Sequence, residues 1–199
     1  MVLSDRDIKR YLELGKIRIT PPIDPDLQLG PCSVDLRLGH QFKVFEYSRY
    51  SHVDIRTPAS GDIMREVTVG EGEAFVIQPG ELVLATTHEV LELADDVLAR
   101  LEGRSSLARL GIIVHGTAGV FEPGWSGKAV LELGNLGRMA VALYPMMRIC
   151  SFTFEPLSSP AERPYGKRKG SKYAGQAGAE ASRLWSDPEV RDWAGGPSS

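Results

Sequence analysis

The stretch "EAFVIQPGELVLATTHEVLEL", Glu73 to Leu93, sets the class of fold. Two runs of apolar and β-branched residues flank Pro79-Gly80, a pair suited to the corner of a turn, so the stretch predicts two strands. The same grammar continues downstream. "GIIVHGTAGVFEPGWSGKAVLELGN", Gly111 to Asn135, predicts at least two more strands around Pro123-Gly124, and "MAVALYPMMRICSFTFEPL", Met139 to Leu157, supplies the last ones. Upstream, Ile19 to Gly39 holds four prolines and ends in an alternating strand, Ser33 to Leu38. Many short strands with Gly and Pro turns, few helices and no internal repeat predict a mainly β sandwich or barrel.

One helix is legible at the start, in "SDRDIKRYLELGKI". Ser4 can cap it, Asp7 completes a capping-box pattern, Gly15 ends it, and Ile8, Tyr11 and Leu12 share the face that docks on the core. After Pro156 the texture changes to Gly, Ala, Ser and Lys/Arg. Such a segment buries too little apolar surface to hold itself in place, so it reads either as a disordered tail or as a lid that orders over a ligand. The division expected is one β domain over 1–157, a covering segment over 158–185 and a flexible tail over 186–199.

The 199 residues suffice for one core, with 42% hydrophobic and 25% charged residues. No run approaches the roughly 20 apolar residues of a membrane span, and the charged start does not read as a signal peptide. Two cysteines make no disulfide framework and fit a reduced, cytoplasmic setting. A net charge of −3 argues against general nucleic-acid binding but leaves an anionic small molecule open, since a local cationic cluster suffices for that.

Such a cluster stands in "EGRSSLARLG", Glu102 to Gly111. Ser105 or Ser106 can cap a very short helix beginning at Leu107, with Arg104 before it and Arg109 one turn in, two guanidinium forks suited to phosphate. The alternative is a surface helix with solvated arginines. In "LELGN", strand alternation puts Glu132 on one face with Val130 and Gly134, opposite Leu131 and Leu133. A carboxylate among apolar neighbours suits proton transfer near neutrality, or is simply solvent-facing. Glu122 is expected at a hairpin tip. The four histidines and two cysteines lack the spacing of a zinc deaminase, so no catalytic zinc is expected. Tyr165, Lys172, Tyr173 and Gln176 lie among glycines near "KRK", where an aromatic face plus cations could close on a nucleotide.

Taken together, "LSDRDIKRYLELGKI", "SVDLRLG", "EGRSSLARLG", "TAGVFEPGWSG" with "LELGN", and "RPYGKRKGSKYAGQAGAEASR" resemble the dCTP deaminase family of the dUTPase-like superfamily. The resemblance implies a distorted β-barrel or jelly-roll-like fold with a short N-terminal helix and few other short helices. It also implies a homotrimer with active sites between subunits, and zinc-independent conversion of dCTP to dUTP and ammonia. By the same match Glu132 shuttles the proton, while Ser105, Arg109 and the carbonyl of Ala118 position water and steady charge. Arg104, Ser105, Ser106, Leu107, Ala108 and Arg109 form the dCTP-contacting turn. Val130 and Leu131 read the base, and Glu122, Tyr165, Lys172 and Gln176 hold sugar and phosphates. Magnesium would arrive on the triphosphate, and dTTP is a common inhibitor in the family. Two features depart from the family pattern. Glu122 stands where aspartate is usual, and Gly119 is followed by apolar Val120, as in bifunctional members that release dUMP and pyrophosphate. "GRSSLARLG" and "PGWSG" look more like the deaminase-only branch, and Ser151 replaces a glutamine common in the bifunctional enzymes. A dUTPase without deamination and a non-catalytic nucleotide sensor are the rival readings.

Overall fold

The computed structural model describes residues 1–57, 63–168 and 170–193. The N-terminal helix α1, Asp5–Glu13, forms for the reasons its sequence gives. Ser4 Oγ accepts from the Asp7 N–H, and Gly15 adopts φ 67° just past the end. The Gly15 and Lys16 N–H groups donate back to the Leu12 and Tyr11 carbonyls, a glycine-terminated helix end. Ile8 is fully buried, with Tyr11 and Leu12 packed beside it. Strand β1, Ile17–Thr20, follows. A one-turn helix α2, Pro25–Gln28, was hidden among the prolines although it carries an ordinary start: Asp24 caps it and Pro25 opens it.

The sheet strands are β2 (Val34–Phe45), β3 (Met64–Thr68), β4 (Phe75–Ile77), β5 (Leu82–Leu93) and β6 (Val97–Gly103). After the short helix α3 (Ser105–Ala108) come β7 (Ile112–Ile113), β8 (Val120–Phe121), β9 (Ser126–Asn135), β10 (Val141–Leu143) and β11 (Arg148–Pro156). All pairings are antiparallel, in the order β7-β9-β5-β2-β11-β6-β8, with β1 on β5, β3 on β2 and a separate β4–β10 pair. This is the mainly β architecture expected from the sequence. β2 runs on to Phe45, well past the expected Leu38, because it serves two layers. Val34 to Arg37 pair with β11, and Leu38 to Val44 pair with β5, across an irregularity at Leu38/Phe42. Gly39 sits at this corner, where a Cβ would meet Thr86 O at 3.0 Å. The N-terminal part of the chain is stitched to the last strand: Val34 of β2 lies opposite Phe152, and the Leu3 N–H donates to Phe154 O at 2.8 Å.

The strands at Pro79-Gly80 and Pro123-Gly124 are present, but neither turn joins paired strands. β4 pairs with β10, β8 with β6, and β9 with β5 and β7. The Glu122 turn is therefore not a hairpin tip. It carries the chain from one end of the sheet path towards the other, pinned by Gly124 N–H to Ala94 O and by Tyr165 N–H to Pro123 O.

Fully buried Phe42, Phe152, Phe154, Leu36, Leu101 and Leu131 fill the space between the layers. Cys150 is among the buried residues and burial pushes its thiol up, whereas Cys32 is exposed. Alkylation of the native protein should therefore consume one thiol and label Cys32 alone. Two thiols consumed without denaturant would contradict this packing. No helix among the described residues is long and apolar enough to cross a membrane.

Candidate active site

β9 builds the floor of the site. Its burial alternates as expected: Leu131 and Leu133 are buried in the core, while Val130 and Glu132 look the other way, half-buried. Glu132 is fixed twice by the segment after β7. Its N–H donates to Val114 O at 3.0 Å, and its Oε2 accepts the Gly116 N–H at 2.8 Å. A side chain at Gly116 would stand 3.2 Å from Oε2 and crowd the carboxylate.

The carboxylate borders a cavity of about 600 Å³, the right scale for a small molecule. Val130, Leu84 and Ala118 line it near Glu132; Val120, Phe121, Glu122 and Trp125 come from the β8 end; Phe45, Val53 and Met64 form a further wall. Tyr165, Tyr173, Gln176 and Glu180 enter from the C-terminal segment. The Trp125 ring is held between Phe121, edge-on at 5.0 Å, and Tyr165 at 5.3 Å.

One stretch of strand edge in this cavity is open. The Lys128 N–H donates to Gln176 O and its carbonyl accepts from Gln176 Nε2, each at 3.0 Å, and the Glu132 N–H donates to Val114 O. Residues two apart direct their backbone groups to the same edge. The N–H and C=O of Val130 therefore face the gap between these two clasps, and no protein partner meets them among the described residues. A planar group with an acceptor beside a donor would complete this edge.

Described residues of the C-terminal segment lie against this site. Pro164 packs on Gly124, which has φ 80° and whose Cβ would stand 2.5 Å from Pro164 Cβ. Gly127 is equally constrained, at φ 146° with Gln176 O 2.9 Å from its Cβ position. Gln176 and Ala179 are buried. Lys172 Nζ is bonded to Asp187 at 2.7 Å, and Glu122 faces Arg168 at 3.8 Å. Of the expected tail 186–199, Pro188–Trp193 form helix α4 with Val190 buried, and 194–199 lie outside the described residues, as does Lys169.

The arginine-serine turn stands elsewhere. α3 spans Ser105–Ala108 and its N-cap residue is Arg104, with no side-chain cap, so neither Ser105 nor Ser106 caps it. The reason lies in Arg104, whose guanidinium is taken up by Asp35 at 3.0 Å and by the Arg148 carbonyl at 3.0 Å, which fixes the chain one residue earlier than the serines suggest. Leu107 anchors the turn in the core, while Ser105, Ser106, Ala108 and Arg109 are exposed. None of Arg104 to Arg109 lines the cavity. The single chain thus brings together Glu132, Ala118, Val130, Glu122, Tyr165 and Gln176, and leaves the turn and Lys172 outside. Leu131 points into the core, so its side chain does not reach the cavity.

Sequence reasoning assigned no role to Trp125 or Asp35, although both lie in motifs it singled out, nor to Gly116. Phe45, Val53 and Met64 carried no signal, since Phe45 ends β2, Met64 opens β3 and Val53 lies between the two strands.

Residues 2–157 match the family model described as dCTP deaminase-like. The chain belongs to the dCTP deaminase family. Among its relatives, the dCTP deaminase of Thermomicrobium roseum is 62% identical, the match covering 92% of this chain and 94% of the relative. The dUMP-forming dCTP deaminase of Dictyoglomus thermophilum is 53% identical over 92% of this chain and 95% of that relative. The crystal structure of the 2′-deoxycytidine 5′-triphosphate deaminase from Agrobacterium tumefaciens superposes with a TM-score of 0.60 at 21% identity. That match covers 79% of this chain and 49% of the other and bears on the fold alone. Within the family, relatives of similar identity carry both names, plain and dUMP-forming.

Proposed function

We propose that the protein deaminates dCTP, taken up as its magnesium complex, by addition of water to C4 of the cytosine ring. The observation that carries this reading is the Glu132 carboxylate, aimed into a largely apolar cavity and held by the Gly116 N–H, beside the open backbone edge at Val130. The Val130 N–H and C=O match the acceptor and donor of a cytosine edge. Glu132 takes a proton from the attacking water and returns it to the ring amine, the C4–N bond breaks, and ammonia leaves; dCTP and water give dUTP and ammonia. The magnesium travels with the phosphates as part of the substrate.

Ser105 and Arg109 reach this cavity from a second copy of the chain, in a homotrimer. Two features support that arrangement. The turn is exposed in the single chain, and next to it stand Leu110, Leu136 and Met139, the last 80% exposed, which a neighbouring subunit would cover. The Leu136 N–H donates to Gly111 O, which ties this apolar rim to the turn itself. In the assembled site Arg109 and Ser105 orient the water with the Ala118 carbonyl, and Arg104 meets the triphosphate.

A second reading is favoured by Val120, which lines the cavity after Gly119 as an apolar residue: cleavage of the triphosphate in the same site, giving dUMP, ammonia and pyrophosphate. One assay separates the two. With dCTP and magnesium, ammonia, dUTP, dUMP and pyrophosphate are followed together. Ammonia matched by dUTP is the expected result, ammonia matched by dUMP and pyrophosphate establishes the bifunctional reading, and no ammonia overturns both.

A further inference from the structure

Asp35, in the motif "SVDLRLG", has no part in the chemistry above, yet it sits under the residue that opens the α3 turn. Its Oδ2 lies 3.0 Å from Arg104 Nε and 3.3 Å from Arg148 Nη1. Arg104 Nη1 donates to the Arg148 carbonyl at 3.0 Å. The base beneath is rigid. Gln28 Nε2 donates to the Asp35 carbonyl at 2.9 Å and to the buried Glu89 carboxylate, which also accepts the Arg37 N–H and Nε.

One carboxylate between two guanidinium groups leaves a formal surplus of positive charge, so Asp35 does not cancel what it holds. Nη1 of Arg104 is hydrogen-bonded and Nε lies against Asp35 as an ion pair, while Nη2 has no hydrogen-bond partner among the described residues. The side chain remains 25% exposed. Held at Nε and Nη1 from two sides, the guanidinium loses little freedom when its Nη2 meets a phosphate oxygen.

We infer that Asp35 is a positioning residue for triphosphate binding: it holds the Arg104 guanidinium so that Nη2 receives a phosphate oxygen. This rests on the reading of Arg104 as a phosphate ligand. The alternative is that Asp35 draws the charge of Arg104 away from anions, and the two predict opposite changes.

Inorganic tripolyphosphate and deoxycytidine, used separately as competitive inhibitors of the full chain, divide the substrate into its two halves. Asp35→Asn should weaken tripolyphosphate inhibition and raise KM for dCTP by about tenfold, with a much smaller change in kcat and in deoxycytidine inhibition. In the Arg104→Ala background, Asp35→Asn should add no further loss, and Asp35→Glu, which keeps the charge, should recover part of the affinity. Equal losses for both inhibitors, tighter tripolyphosphate binding, an additive double variant, or no recovery by glutamate would each overturn the inference. Unchanged tripolyphosphate inhibition in Arg104→Ala overturns the phosphate reading itself and the inference with it. A weakened Arg104→Ala beside a normal Asp35→Asn overturns the inference alone. Should Asp35→Asn melt before it can be assayed, Asp35→Ser takes its place and is read by the same criteria.

Discussion

Glu132→Gln should lose turnover by roughly 10²–10⁴-fold while keeping its affinity for dCTP. The amide has the shape of the carboxylate, and its oxygen can still accept the Gly116 N–H that now bonds Oε2 at 2.8 Å. The Val130 edge and the wall around Trp125 are untouched by the change. Binding and chemistry should therefore separate cleanly, binding read by equilibrium titration with dCTP and chemistry by ammonia release. Turnover within a few-fold of the parent would remove Glu132 from the proton path. Loss of binding to the same degree as turnover would make it a substrate ligand instead.

Deleting everything after Ser158 should leave a folded β body that binds nucleotide poorly. The layers are closed by β11, which ends at Pro156, and the fully buried Phe152 and Phe154 both precede the cut. What goes is one side of the cavity, Tyr165, which covers Trp125, then Tyr173 and Gln176, together with Lys172, which pairs with Asp187 outside the cavity and which the family resemblance assigns to the phosphates. A charge-assisted hydrogen bond alone contributes about 1.5–3 kcal/mol, which is roughly tenfold to a hundredfold in affinity before the lost apolar cover is added. A cooperative thermal transition with weak dCTP binding is the expected pair of results. Unchanged affinity would sever the segment from the site, and a molten body would show it to be part of the core.

The sequence carried the elements of the fold better than their partners. α1 was legible because Ser4, Asp7 and Gly15 act within a few residues of one another, a purely local signal. β5 and β9 were legible because alternation is also local. That β9 pairs with β5 and β7 rather than with β8 depends on how the sheet curls, and turn residues at Pro123-Gly124 do not encode it. Likewise Ser105 and Ser106 look like helix caps, but Asp35 and the Arg148 carbonyl, both remote in the chain, hold Arg104 in that place. In the site, the face of Glu132 was readable from spacing, and its role came from the family resemblance. The Gly116 clasp and the Phe45–Met64 wall were not readable, because each is created by tertiary contact.

The stitching of Val34 to Phe152 and of Leu3 to Phe154 bears on how the chain is made. On the ribosome, the opening segment must wait for β11 to emerge before either can settle, so nothing shorter than the whole β body can close. Pairings between such distant parts fold slowly, and the Val34 to Arg37 end of β2 stays open to other chains meanwhile. Raised temperature during synthesis should harm yield more than it harms the finished protein.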